Sequence, residues 1–222
     1  MRLRLPEERP KEPPTGYKIA RPVLSQDGTR AGFTGVSLGA GLPYGVLDEA
    51  GCVYGRRHRA PHRRCDCGFH CVHDRTTAAG LLCTAEHRKA ALLEVTVLGA
   101  YIRFERGFRY ARQRVRTATV PPCDCGTAAS LLADGGWGRP GWWGVESACE
   151  RCRGTRPAVS VVEFARLAGE GLRVVAAAPT VSAGGLPGLG MPELMAEAAL
   201  LQARLDWFQS ELGRITKDDD RG

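Results

Sequence analysis

The tetrapeptide Cys-Asp-Cys-Gly occurs twice in this chain of 222 residues, at 65–68 and at 123–126, and no other repeat in it carries comparable chemistry. In such a turn two thiolates can face one metal ion, while glycine permits backbone conformations that bring amides near the negatively charged sulfurs. Downstream of the second copy, Cys149-Glu150-Arg151-Cys152 supplies a Cys-x2-Cys pair. Cys123, Cys125, Cys149 and Cys152 then provide the four sulfurs that a closed structural zinc site prefers. A redox reading of Cys149 and Cys152 lacks the strand-helix context of a thioredoxin motif. Around the first copy the candidate ligands are more numerous: Cys52, His58, His62, His70, Cys71, His73 and Cys83 all lie within reach. The set favoured here is Cys52, His62, Cys65 and Cys67, because it leaves His70, Cys71 and His73 to run into the start of a helix. The expected cofactor is zinc, two ions per chain.

The order Cys52, His58-Arg59-Ala60-Pro61-His62, Cys65-Asp66-Cys67-Gly68-Phe69, then a strand over Val95 to Arg103 and Arg106-Gly107-Phe108-Arg109-Tyr110-Ala111, resembles uncharacterised Cys-x-Cys-Gly proteins of actinomycetes and their phages. The resemblance covers residues 15–120 and implies a shared domain containing the knuckle and a hairpin. It brings no activity with it. His70 departs from the pattern, which places a Tyr or similar residue there.

Positioning these ligands falls to a small number of elements. Residues 1–15, rich in Pro, Glu and Arg, read as a mobile arm. Tyr17 to Leu24 reads as a strand ending at the Asp27-Gly28 turn, and scattered glycines from Gly32 to Gly55 indicate short strands and tight loops. Asp74 is a candidate N-cap for a helix to about residue 90, with Ala78, Leu81, Leu82 and Ala85 on one side. Leu92 to Phe104 and Phe108 to Val120, joined by Glu105-Arg106-Gly107, form the expected hairpin. Ser160-Val161-Val162-Glu163 is a capping box for a helix to about Ala168, followed by a strand from Leu172 to Ala178. The tryptophans at 137, 142 and 143 sit in a Gly-rich loop and form either a binding surface or, as favoured here, the core of a small module, which has few other apolar residues. Residues 179–190 read as a linker. Beyond it Leu194, Ala198, Leu201, Leu205, Phe208, Leu212 and Ile215 alternate spacings of four and three, a coiled-coil-like helix over 191–216 suited to self-association or a partner helix. An acidic tail closes the chain at 217–222.

The expected fold is therefore α+β: a small antiparallel sheet with a covering helix in a domain over 16–120, a Cys₄ ribbon-like zinc module with a helix-strand unit over 121–178, and a C-terminal amphipathic helix.

Charge suggests what such a scaffold would meet. The net charge is +7, and of 31 Lys and Arg residues only four are Lys, a bias that together with the absence of Asn suits a GC-rich bacterial source. The segment 56–116 holds 14 Arg or Lys against five Asp or Glu. Strand periodicity puts Phe108, Tyr110, Arg112, Arg114 and Arg116 on one face and Arg109, Gln113 and Val115 on the other. Aromatic and guanidinium groups together can stack on bases and pair with phosphates, and Arg56, Arg57, Arg59, Arg63 and Arg64 add to the same field. The function expected is a DNA- or RNA-associated regulatory protein; the alternative is a non-catalytic adaptor docking through Leu194, Leu201, Leu205, Phe208, Leu212 and Ile215. No enzyme is expected: the His-x-Glu of zinc deaminases, the His-Glu-x-x-His of metalloproteases and the phosphate loop are all missing. No apolar run approaches a membrane span, and Met1-Arg2-Leu3-Arg4-Leu5-Pro6 lacks the apolar core of an export signal, so the expected location is the cytoplasm.

Overall fold

A computed structural model describes residues 12–36 and 42–178, together with helical positions at Ala198, Ala199 and Gln202. The proposed coiled-coil contacts Leu194, Leu201, Leu205, Phe208, Leu212 and Ile215 lie outside the described residues, as do the linker, the acidic tail and most of the N-terminal arm. Among the described residues no helix is long and apolar enough to cross a membrane.

The organising element is β1 (Thr15–Ser25), eleven residues whose two halves pair with different partners. Its first half pairs antiparallel with β5 (Ala91–Arg103), from Thr15 opposite Thr96 to Ala20 opposite Ala91. Its second half pairs with β2 (Ala31–Thr34) through a turn in which Asp27 accepts the Ser25 hydroxyl and the Thr29 amide. The expected hairpin is present as β5 and β6 (Gly107–Val120), closed between Phe104 and Gly107. β4 (Phe69–Val72) pairs with β6 and, at Tyr17, with β1, so that β1, β5, β6 and β4 form a closed ring of strands. β3 (Leu47–Glu49) adds to β6, and β10 (Arg173–Ala176) runs parallel to it.

The sheet is larger than the small one expected. Strands of three or four residues, such as β3, β4 and β9 (Ala158–Ser160), are too short to show a periodic signal. The Gly/Trp segment taken for a loop is itself a hairpin, β7 (Leu131–Arg139) and β8 (Trp142–Ala148), with β9 on its outer edge. β8 pairs with β1 from Val23 opposite Gly144 to Ser25 opposite Trp142. Phe33, Tyr110, Val120, Leu132, Val145 and Phe164, from both sides of the boundary expected near residue 120, pack in one cluster.

Helices are few and short. Asp74 caps α1 (Arg75–Leu81) by accepting the Thr77 amide, but the helix ends well before the expected residue 90. Gly80 weakens its last turn and the Thr84 hydroxyl donates to the Leu81 carbonyl, after which the chain continues in successive tight turns. α1 lays Ala78 on Ile19 and Leu92, covering the outside of β1 and β5. After the four-residue α2 (Glu150–Arg153), Ser160 caps α3 (Val161–Ala168) by accepting the Glu163 amide, as the capping box requires. Phe164 then inserts edge-on against Phe33 at 5.9 Å.

Candidate metal centres and the basic surface

The loop between β3 and β4 folds back so that Cys52, His58, Cys65 and Cys67 present ligand atoms within 4.8 Å of one another. Cys52 Sγ lies 3.8 Å from Cys65 Sγ, and His58 Nε2 lies 3.2 Å from Cys67 Sγ. Two sulfurs bonded at about 2.3 Å to a tetrahedral ion stand about 3.8 Å apart, whereas a disulfide needs about 2.05 Å. The spacing fits ligands of one metal ion.

The expected His62 is not in this set. Its Nδ1 accepts the Arg64 amide at 3.2 Å, which turns the ring toward its own backbone, and the ring stacks on His58 at 4.4 Å. His58 completes the set in place of His62. Sequence spacing cannot choose between two histidines four residues apart in a loop, because the choice depends on how the loop closes.

What fixes the loop was also hidden in the sequence. Arg109, expected to stand on a sheet face, is buried, and its guanidinium donates to the carbonyls of Cys65 and His62 (2.5 and 3.2 Å) and to Asp66 at 3.1 Å. The middle residue of the knuckle is thus tied to the hairpin strand β6. Gly68, with φ of +129°, lets the chain pass close over Arg109 and enter β4.

The second cluster is the one expected: Cys123, Cys125, Cys149 and Cys152 again lie within 4.8 Å of one another, with Cys125 Sγ 3.7 Å from Cys149 Sγ. The knuckle turns through Gly126 (φ of +84°), whose amide donates to the Cys123 carbonyl, while the Cys149 carbonyl, at the start of α2, accepts the Cys152 amide and so brings Cys152 round one turn. Here too the middle Asp meets a cation: Lys89 lies 3.7 Å from Asp124 and 2.6 Å from Glu146 on β8. The Thr127 hydroxyl and amide hold the Cys125 thiol down to about 6, while its hydrogen bonds to Cys125 and Cys149 push Cys152 up to about 12. Four sulfurs so close cannot all be thiolates without a cation among them, and a metal ion supplies one. The second site is the more open: Cys125 and Cys152 are exposed, whereas Cys65 and Cys67 are buried.

The aromatic part of the expected nucleic-acid face is corrected. Phe108 is buried against His73 and Tyr101, and Tyr110 is wholly buried, donating to Gln113 Oε1 at 2.9 Å. Irregular pairing of β5 with β6 between Leu98 and Tyr101 breaks the alternation, so residues three apart, Tyr110 and Gln113, share the inner side. Neither ring is available to a base. The arginines remain outside: Arg112 and Arg116 are exposed and Arg114 half-buried, and Arg116 Nε donates to Thr96 on the outer face of β5. Arg173 on β10, which sequence periodicity had not joined to them, donates to Thr117 on the same face. Arg56, Arg57, Arg59, Arg63 and Arg64 are all exposed on the first metal loop.

The tryptophans are half-buried along the β7–β8 hairpin, and of the three Trp143 packs against the main core. Trp143 Nε1 donates to the Ser25 carbonyl at 3.0 Å, and Arg21 and Arg30 stack over Trp137 and Trp142 at 5.4 Å. One enzyme-like spelling falls in the wrong context. Gly136-x-Gly138-x-x-Gly141 turns a β-hairpin instead of opening a helix after a strand.

Comparison of the chain with protein-family models, with curated proteins and with solved structures finds no match.

Proposed function

We propose that this is a two-zinc protein that binds nucleic acid through an arginine loop closed by its first metal site. The observation that carries the reading is the content of that loop. Between the ligands Cys52 and Cys65 lie five arginines, two histidines and no acidic residue. Closing the loop on an ion brings five guanidiniums together on one exposed surface, and such a field attracts the phosphates of a polyanion.

The ligand chemistry supports zinc. Four thiolates at one site and three thiolates with an imidazole at the other are the donor sets of structural zinc, while calcium and magnesium require oxygen ligands. With four protein ligands at each site there is no open position for a substrate, which favours binding over hydrolysis. Thiolate ligands of this kind suit a reducing compartment such as the cytoplasm.

The test combines metal analysis with electrophoretic mobility shifts. The chain purified without added metal is expected to contain two zinc ions. Binding to duplex or single-stranded nucleic acid is expected to weaken with salt, with a log–log slope of about −3.5 to −4.5 if all five arginines meet phosphates. Arg63→Glu with Arg64→Glu is expected to abolish the shift. Binding that survives both this substitution and removal of the metal would overturn the reading.

A further inference from the structure

A groove of about 240 Å³ lies between α1 and β10 over the outer side of β5 and β6, away from the first metal loop. Arg75 at the start of α1 forms one wall and Arg173 on β10 the other, with Tyr17, Glu94, Thr117 and Thr119 among the lining residues. Core residues Leu93 and Val95 point to the opposite side of β5, so Glu94 faces outward here.

The charged groups of the groove are largely uncommitted. Among the described residues the side chains of Arg75 and Glu94 make no hydrogen bond or ion pair, and the Arg173 guanidinium reaches Thr117 Oγ1, at 3.4 Å. Two guanidiniums and a carboxylate thus share a groove without neutralising one another. An anion alone satisfies the arginines and is repelled by Glu94. A ligand that satisfies all three must bring acceptors to the arginines and a donor to the carboxylate. The surroundings narrow the choice: Arg116, bonded to Thr96 two residues along β5 from Glu94, continues the positive face beside the groove toward Arg114 and Arg112.

We propose that this groove binds a ribose phosphate unit, with Arg75 and Arg173 on the phosphate and Glu94 accepting a hydrogen bond from the sugar 2′-hydroxyl. The chemistry deepens the nucleic-acid reading, on which it rests, by specifying a ribose over a deoxyribose. An RNA strand and a free ribonucleotide present the same group.

The test is an amide ¹H–¹⁵N titration of the full metal-loaded chain with UMP, dUMP, inorganic phosphate and glycine. UMP is expected to shift the amides of Glu94, Thr117, Thr119 and Arg173. dUMP is expected to bind about tenfold more weakly, the loss of one hydrogen bond to a charged acceptor. Arg75→Ala and Arg173→Ala should each weaken UMP by a similar factor, and Glu94→Ala should remove the difference between UMP and dUMP while leaving the spectrum folded. An oligoribonucleotide identifies the source: a strand shifts the groove and residues 56–64 together, a free nucleotide the groove alone. Equal affinity for UMP and dUMP, an equal response to glycine, or shifts confined to residues 56–64 would each overturn the assignment. Mobility shifts that depend on Arg63 and Arg64 but show no sugar preference would leave the nucleic-acid reading standing and the groove without this ligand. Absence of binding to any polyanion would remove that reading itself.

Discussion

Arg109→Met tests the claim that a buried guanidinium shapes the first metal site. Arg109 is 5% exposed and donates to two backbone carbonyls of the knuckle, at Cys65 and His62, as well as to Asp66. The Asp66 contact contributes little, because that carboxylate is 90% exposed and solvent screens the pair. The carbonyl bonds matter more: each bond from a charged donor is worth about 1.5 kcal/mol, so two give about 3 kcal/mol. Arg109 Nε is buried without a partner, and that uncompensated burial offsets about 1 kcal/mol. A net loss of about 2 kcal/mol in loop preorganisation would fall on the metal, since the ion must now order the loop itself, and would weaken it about thirtyfold. Competition with a chromophoric chelator reads both sites in one titration. The expected result is one site weakened by that factor and the Cys123 site unchanged. Arg109→Lys should recover only part of the loss, because an ammonium cannot reproduce the planar fork. Unchanged affinity at both sites, or equal weakening at both, would refute the clamp.

Other outcomes follow from single residues. Cys125→Ser should reduce the metal content from two ions per chain to one while leaving the arginine loop closed, measured by elemental analysis and by resistance of residues 56–64 to trypsin. Gly107→Ala should destabilise the fold strongly in urea titrations, because a Cβ there would overlap the Cys71 carbonyl oxygen of the paired strand. Lys18 sits between the rings of Tyr44 and Phe69 (4.8 and 4.9 Å), and burial lowers its pKa from 10.5 to about 8. The unfolded chain holds this proton where the folded one has lost it, so stability should rise as pH increases above 8. Above pH 9 the Cys71 thiol, pushed up by burial to about 11, acts in the opposite sense. Lys18→Met should remove the rise between pH 8 and 9, worth on the order of 1 kcal/mol, as read by denaturant titration at each pH; an unchanged pH profile would show that Lys18 is solvated.

The sequence alone determined the features that are local. The hairpin of β5 and β6, the Ser160 cap, the Asp27-Gly28 turn and the Cys123 cluster are legible because periodicity, capping and ligand spacing act over a few residues. Cys149 and Cys152 could be joined to Cys123 and Cys125 across their intervening segment because a Cys-x2-Cys pair restricts the choices.

The tertiary structure decided what depends on register and loop closure. His58 and His62 are alike in the sequence, and the Arg64 amide and the path of the loop separate them. Tyr110 and Arg112 share a parity, yet an irregularity in the β5–β6 ladder puts one in the core and the other in solvent. Arg109 reads as one more arginine in an arginine-rich strand until the fold places the carbonyls of residues 62 and 65 above it, 47 and 44 residues away along the chain. The groove of Arg75, Glu94 and Arg173 likewise exists only because α1, β5 and β10 are brought together. Spacing in a sequence specifies which atoms can reach one ion; contact between distant segments is set by how strands align and loops close, and that alignment is a property of the whole sheet.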